Sequence, residues 1–192
     1  GLLMAIGQFF MFFSASAGAD GGVSLMWMGL TAIIIGNGFF KPNISTMVGA
    51  LYKTNDTRRD AGFSLFYSGI NVGALLGGYA CVYIGKSYSW NVAFGLAGVV
   101  MIISLITFIF TQKSLSTIGV APLLGVEKSK RKLYEYLTYA GTILAIPLIM
   151  TLVSNPQYTD IFMYTIGPLT LLYLFYEMRS FTLQENKKLI AA

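Results

Sequence analysis

The chain has 192 residues, 55% of them hydrophobic and 11% charged, with a net charge of +5 and a mean hydropathy of +0.66. Soluble domains carry about 25% charged residues, so the composition excludes an ordinary soluble domain and points to an all-α membrane protein with several spans. Histidine is absent and Cys81 is the single cysteine, which removes the commonest proton shuttle and any internal disulfide.

In chain order, residues 1–17 read as a span or its remnant and 18–22 as a short turn. The next apolar run, 23–51, is long enough to cross a bilayer, since roughly 20 apolar residues span a ~30 Å core. A polar loop at 52–60 (YKTNDTRRD) precedes a span over 62–84. A brief loop holding Lys86 and Trp90 then leads to a span over 92–111. The polar link 112–132 ends in the basic cluster Lys128, Lys130, Arg131 and Lys132. Spans over 133–154, with Pro147, and 161–178, with Pro168, make six. Both ends read as cut, the residues from 179 onward as the approach to another span.

Lysine and arginine alternate by loop. The loop 52–60 has three, the link 112–132 five and the tail from Arg179 three; the intervening loops hold only Lys86. The positive-inside rule then makes 52–60, 112–132 and the tail cytoplasmic. These cations gather at span ends and form no stripe, so nucleic acid is not a partner. Trp27 and Trp90 fall near span ends, where aromatic anchors are expected.

The stretch Gly36–Gly49 (GNGFFKPNISTMVG) stands apart. It places Lys41 in the middle of an apolar span, at a cost of about 2.5–3.5 kcal/mol on insertion scales. The lysine stem covers about one helical turn and cannot carry the charge to an interface some ten residues away. The expectation is that Lys41 lines an aqueous cavity, the alternative being a structural ion pair with a neighbouring helix. Asn37, Lys41, Ser45 and Gly49 share one face by their spacing of four. Phe39, Phe40, Met47 and Val48 lie opposite, with Asn43 as the polar member there. Pro42 lacks an N–H and leaves the Gly38 carbonyl without its helical partner, so a kink is expected.

In the span 62–84, Gly69, Gly73 and Gly77 repeat every four residues and predict a ridge for close helix packing. Ser64, Tyr67, Ser68 and Asn71 lie on the other side; for Asn71, an interhelical hydrogen bond and a ligand contact are both open readings. Three fragments imitate known motifs and fail. Ala80–Ser87 ends in GKS without the first glycine of a phosphate loop. Gly36-Asn37-Gly38 has Lys41 where a dinucleotide fingerprint needs glycine. The glycosylation patterns at Asn43 and Asn55 fall in a span and in a cytoplasmic loop. With dispersed acidic residues and no nucleophile–base pair, neither an enzyme nor a metal site is expected.

GNGFFKPNISTMVGALY followed by DTRRDAGFSLFYSGINVGALLGG resembles the signature region of the proton-coupled oligopeptide transporters, the POT or PTR family of the major facilitator superfamily. FKPNxSTxVG, the DxRRDxGF loop and FYxxINxGxLL stand in the family's order and spacing over roughly 36–78. The resemblance implies part of a major facilitator bundle, with 1–111 as helices three to six of the N-terminal half. It makes 112–132 a cytoplasmic link, 133–178 the inserted helical hairpin of bacterial members and 179–192 the approach to helix seven. It implies proton-coupled symport of di- and tripeptides by alternating access in the inner (plasma) membrane, with protons as coupling ion and no cofactor. Lys41 would meet the peptide carboxylate and take part in proton coupling. Asn71 would contact the peptide backbone or amino terminus, Tyr67 would line the cavity, and Asp56, Arg58, Arg59 and Asp60 would form a gating loop. Asn37 departs from the small Thr or Ser usual there. The first-helix ExxER motif and the acidic residues of the second half are not in this chain, so its remaining partners are the lipid bilayer and the missing helices. Two alternatives stay open: a related symporter of another anion such as nitrate, and a non-transporting structural membrane module.

Overall fold

A computed structural model describes residues 1–53, 56–115, 118–119 and 128–181. Six α-helices run along them. They are α1 (Leu2–Phe13, extended by a 3-10 turn over Ser14–Ser16), α2 (Gly18–Ala50) and α3 (Arg58–Ser87), then α4 (Trp90–Thr111, extended by a 3-10 turn over Gln112–Leu115), α5 (Lys128–Ser154) and α6 (Pro156–Glu177, closed by a 3-10 turn over Met178–Ser180).

Each predicted span lies on a helix, but the predicted loops shrink. The turn expected at 18–22 belongs to α2, and Gly18 alone carries the reversal with φ +74. A side chain at Gly22 would stand 2.4 Å from the Ser14 carbonyl oxygen, so the chain folds back at once. Glycine's weak helix propensity is overridden here by tertiary contact. The loop 52–60 gives up Arg58–Asp60 to α3, and the loop 85–91 is reduced to Tyr88 and Ser89, whose hydroxyl accepts the Val92 N–H at 3.3 Å. The basic cluster of the link is the first turn of α5 rather than loop. Lysine, arginine and glutamate are good helix formers, so polarity marks where a span leaves hydrocarbon and not where the helix stops. The tail beyond residue 181 and residues 116–117 and 120–127 of the link lie outside the described residues.

Among the described residues four helices are long and apolar enough to cross a membrane, over Gly21–Ala50, Arg58–Ser87, Trp90–Leu115 and Lys130–Ser154. The expected six are thus six helices, two of which fall short of that measure. The apolar stretch Leu2–Ser16 is shorter, and α6 is long enough but diluted by Gln157, Asp160 and four tyrosines.

The chain forms two compact units, residues 1–150 and 151–192. In the first, α1 packs on both α2 and α4, and the backbones approach through glycine. A Cβ added to Gly7 would lie 2.6 Å from the Gly29 carbonyl oxygen, and one added to Gly29 would lie 2.8 Å from that of Gly7. Gly36 accepts Met4 in the same way, while Gly95 takes the ring of Phe12 and Gly98 takes Phe9. Lipid is as apolar as a leucine side chain, so helices in a bilayer associate through close packing and hydrogen bonds. The buried residues other than glycine, Ala5, Met11, Thr31, Ile35 and Ala93, all sit on these three helices among the described residues.

Asn91, in the first turn of α4, ties off the end of α1. Its side-chain amide donates to the carbonyls of Met11 (2.9 Å) and Phe12 (3.2 Å) and to Ser14 Oγ (3.1 Å), and the Ser14 hydroxyl donates to the Met11 carbonyl. Carbonyls at a helix C-terminus have no intrahelical partner, and this clasp supplies one across a sequence separation of 80 residues. In the second unit Asn155 alone separates α5 from α6; Pro156 opens α6, where a missing N–H costs nothing. Thr159 Oγ1 donates to the Leu152 carbonyl at 2.5 Å and closes this tight connection.

Replacing Asn91 with leucine in the full-length protein should lower thermal stability by about 1–2 kcal/mol, because helix-end carbonyls lose their donor. An unchanged unfolding midpoint in detergent would dismiss the clasp.

Candidate functional site

Lys41 stands in the C-terminal third of α2, exposed, and among the described residues it forms no ion pair. The helix runs unbroken through Pro42. The polar side chains around the proline turn inward on their own backbone. Asn43 Nδ2 donates to the Phe39 carbonyl at 2.7 Å, Ser45 Oγ to the Lys41 carbonyl at 3.0 Å and Thr46 Oγ1 to the Pro42 carbonyl at 2.9 Å. These bonds support the turn that Pro42 weakens. With those donors occupied, the Lys41 ammonium and the exposed Asn37 one turn earlier are the polar groups left to face outward.

On α3, Asn71 is exposed and Tyr67 is 52% exposed. The Tyr67 ring stacks on Phe63, with centroids 6.3 Å apart, and meets Phe66 edge-on at 5.4 Å, which fixes its direction. The glycine ridge predicted for packing is empty among the described residues: a Cβ at Gly69, Gly73 or Gly77 would meet nothing within 4 Å.

Asp56 stands just before α3, and Arg58, Arg59 and Asp60 form the first turn of that helix. Asp56 Oδ1 accepts the Arg58 backbone N–H at 2.9 Å and its Nε at 3.1 Å, while Oδ2 accepts Nη2 at 3.0 Å. The Arg58 side chain and N–H hold the Asp56 carboxyl below its usual carboxylate value. Arg59 lies over the Phe63 ring, 5.9 Å from its centroid, and beside Gly49 in the last turn of α2, where a cation is favourable. The Tyr52 phenol fills the space a side chain at Gly62 would need, 2.2 Å from its Cβ position. Asp60 is exposed in the first turn of α3.

A partly open cavity lies on the other side of α2. Its volume is about 1110 Å³ and it is bounded by α1, α2, α3 and α4, with Phe39, Phe40, Asn43, Met47, Gly73 and Ser104 among its walls. Lys41, Asn71 and Tyr67 do not line it. Asn43, read from the sequence only as the polar member of an apolar face, is the polar residue that α2 contributes to this cavity, and Ser104 is that of α4; the isolation of Asn43 on its face was the one available signal. Lys41 stands on α2 and Asn71 and Tyr67 on α3, the next helix in the chain. Among the described residues no group of three His, Cys, Asp or Glu could hold a metal ion.

Residues 1–134 match the sequence profile described as the POT family. The chain belongs to the POT family. Over all 192 residues it is 30% identical to Dipeptide and tripeptide permease A of Pectobacterium carotovorum subsp. carotovorum (strain PC1), covering 36% of that protein. It is 41% identical over 107 residues to Peptide transporter YePEPT of Yersinia enterocolitica subsp. palearctica serotype O:3 (strain YE-P4), which is 56% of this chain and 20% of that one. Among solved structures, a variant of peptide transporter POT in complex with alafosfalin superposes with a TM-score of 0.64 at 30% identity, over 98% of this chain and 39% of that one. This POT chain is an all-α membrane protein and forms part of a major facilitator bundle. It spans two fifths or less of the length of these relatives.

The Asp56–Arg58 contact sets a pH dependence. A carboxyl with a lowered folded pKa stabilises above its unfolded value, here 3.8, and that contribution disappears as pH falls through the folded value. The stability difference between the full-length protein and its Asp56→Asn variant should be present near neutral pH, begin to fall near 3.8 and vanish once pH has passed below the folded value. A difference that persists in acid would remove this role from Asp56.

Proposed function

We infer that the chain serves proton-coupled symport of di- and tripeptides by alternating access, as one portion of a transporter in the inner membrane. In this reading residues 1–111 supply helices three to six of the N-terminal bundle and 133–178 an inserted pair of helices. The segments 52–60 and 112–132 face the cytoplasm, and 179–192 leads into the next span. The observation that carries the reading is Lys41: an exposed ammonium within an apolar helix, without an ion pair among the described residues, in a family whose relatives are named for peptide transport.

The chemistry follows from what a peptide offers. A dipeptide is a zwitterion and needs a cation for its carboxylate and polar acceptors for its amine. Lys41 supplies the first and the Asn71 side-chain carbonyl the second, with the Tyr67 ring as wall beside them. A lysine gives a compact charge on a flexible stem, suited to a solute that arrives and leaves. The coupling ion is the proton. A carboxylate elsewhere in the full-length protein holds Lys41 until it is protonated, and the freed ammonium then takes the substrate carboxylate. Asp56, Arg58, Arg59 and Asp60 form the gating element at the cytoplasmic end, and the two halves rock around a site near the midplane.

Two measurements on the full-length protein test this. Lys41→Ala should abolish dipeptide accumulation driven by a proton gradient while leaving membrane insertion intact; undiminished accumulation would refute the assignment. Asn71→Ala should weaken competition by dipeptides roughly ten-fold or more, the scale of one hydrogen bond to a charged group. Uptake of nitrate, insensitive to dipeptides, would instead favour the anion-symport alternative.

A further inference from the structure

The basic cluster at the start of α5 and the poorly closed space behind it have no part in peptide handling. α5 lies along α2, yet the two helices do not close on each other. An open groove of about 490 Å³ runs between them, bounded on α5 from Leu137 to Ile149 and on α2 from Ile34 to Phe39. Gly38 and Gly141 both line this groove, where small residues would let two helices touch. A Cβ added to either would meet nothing within 4 Å.

The walls are apolar in effect. Thr138 and Thr142 are the polar residues of the lining, and their hydroxyls already donate along the helix, to the Tyr134 carbonyl at 2.8 Å and the Thr138 carbonyl at 2.7 Å. At the α-helical rise per residue the α5 wall runs roughly 18 Å from Leu137 to Ile149 and the α2 wall about 8 Å from Ile34 to Phe39, so the two-walled part seats a portion of an extended acyl chain and α5 alone guides the rest. At one end of it stand the cations. Arg131 pairs with Glu135 at 3.1 Å, while among the described residues the exposed Lys130 and Lys132 have no ion pair. Two exposed tyrosines, Tyr134 and Tyr136, fall between the cluster and Leu137, where the groove begins, at the depth where aromatic residues meet headgroups.

We propose that the α2–α5 groove seats an acyl chain of an anionic phospholipid, whose headgroup is held by Lys130 and Lys132. The charge at the mouth selects the lipid class, because juxtamembrane cations attract acidic headgroups, and the dry groove selects a lipid over a soluble phosphate. The site is independent of Lys41 and of the peptide reading.

The test uses the full-length protein, delipidated in detergent, with phosphatidylglycerol or phosphatidylcholine of the same acyl composition added back and retention read by native mass spectrometry. Phosphatidylglycerol should be retained in preference. Lys130→Gln and Lys132→Gln should each lower that preference about five-fold, the scale of one surface lysine, with phosphatidylcholine retention unchanged. Gly141→Leu fills open space without a backbone clash and should reduce retention of both lipids, with the unfolding midpoint of the lipid-free protein unmoved. Equal retention of the two lipids, a preference unaffected by the lysine variants, or full competition by glycerol 3-phosphate would each overturn the proposal.

Discussion

A bundle in hydrocarbon has no water to push its helices together, so its cohesion rests on how closely backbones can approach and on the hydrogen bonds made across the gap. In this chain that requirement converges on α1. Gly7 and Gly29 bring the carbonyls of α1 and α2 within reach of each other's missing side chains, and Gly95 and Gly98 open α4 to the aromatic rings of α1. Asn91 then fastens the end of α1 to the start of α4. The helices that carry the candidate site, α2 and α3, can afford exposed polar residues because α1 and α4 supply the closure. Thr31 shows the same economy, being buried almost completely with its hydroxyl returned to the Trp27 carbonyl of its own helix.

Much of this was legible in the sequence, and the reason is physical. Apolar run length fixes where helices lie, so six predicted spans became six helices. Run length does not fix where helices end, since Arg58–Asp60 and Lys128–Lys132 are helical outside the apolar stretch. Nor did it predict that Gly18 would carry a reversal alone. The glycines of α3 were read correctly as a small-residue stripe, but nothing among the described residues sits on it. The stripe that does pack is distributed over α1, α2 and α4, at spacings that no single helix reveals.

The site shows the same division. Lys41 stands out in the sequence because a cation amid apolar residues is costly wherever it lies, and the structure leaves it exposed and unpaired among the described residues. Its relation to Asn71 could not be read from spacing, because that depends on how two successive helices meet. The cavity beside Asn43 was equally hidden, since its walls come from four helices and its polar members, such as Asn43 and Ser104, are 61 positions apart in the chain. Asn91 carried the weakest signal of all: an asparagine after a tryptophan in a short loop looks like ordinary turn chemistry until its three acceptors are seen.

The contact between Tyr52 and Gly62 has a mechanical consequence. An aromatic ring wedged where a side chain would otherwise stand, with Arg59 braced against the end of the preceding helix, makes the junction behave as a bracket and not as a free joint. Tilting α2 therefore drags the first turns of α3 with it, and the lysine and asparagine they bear travel as passengers on a single lever.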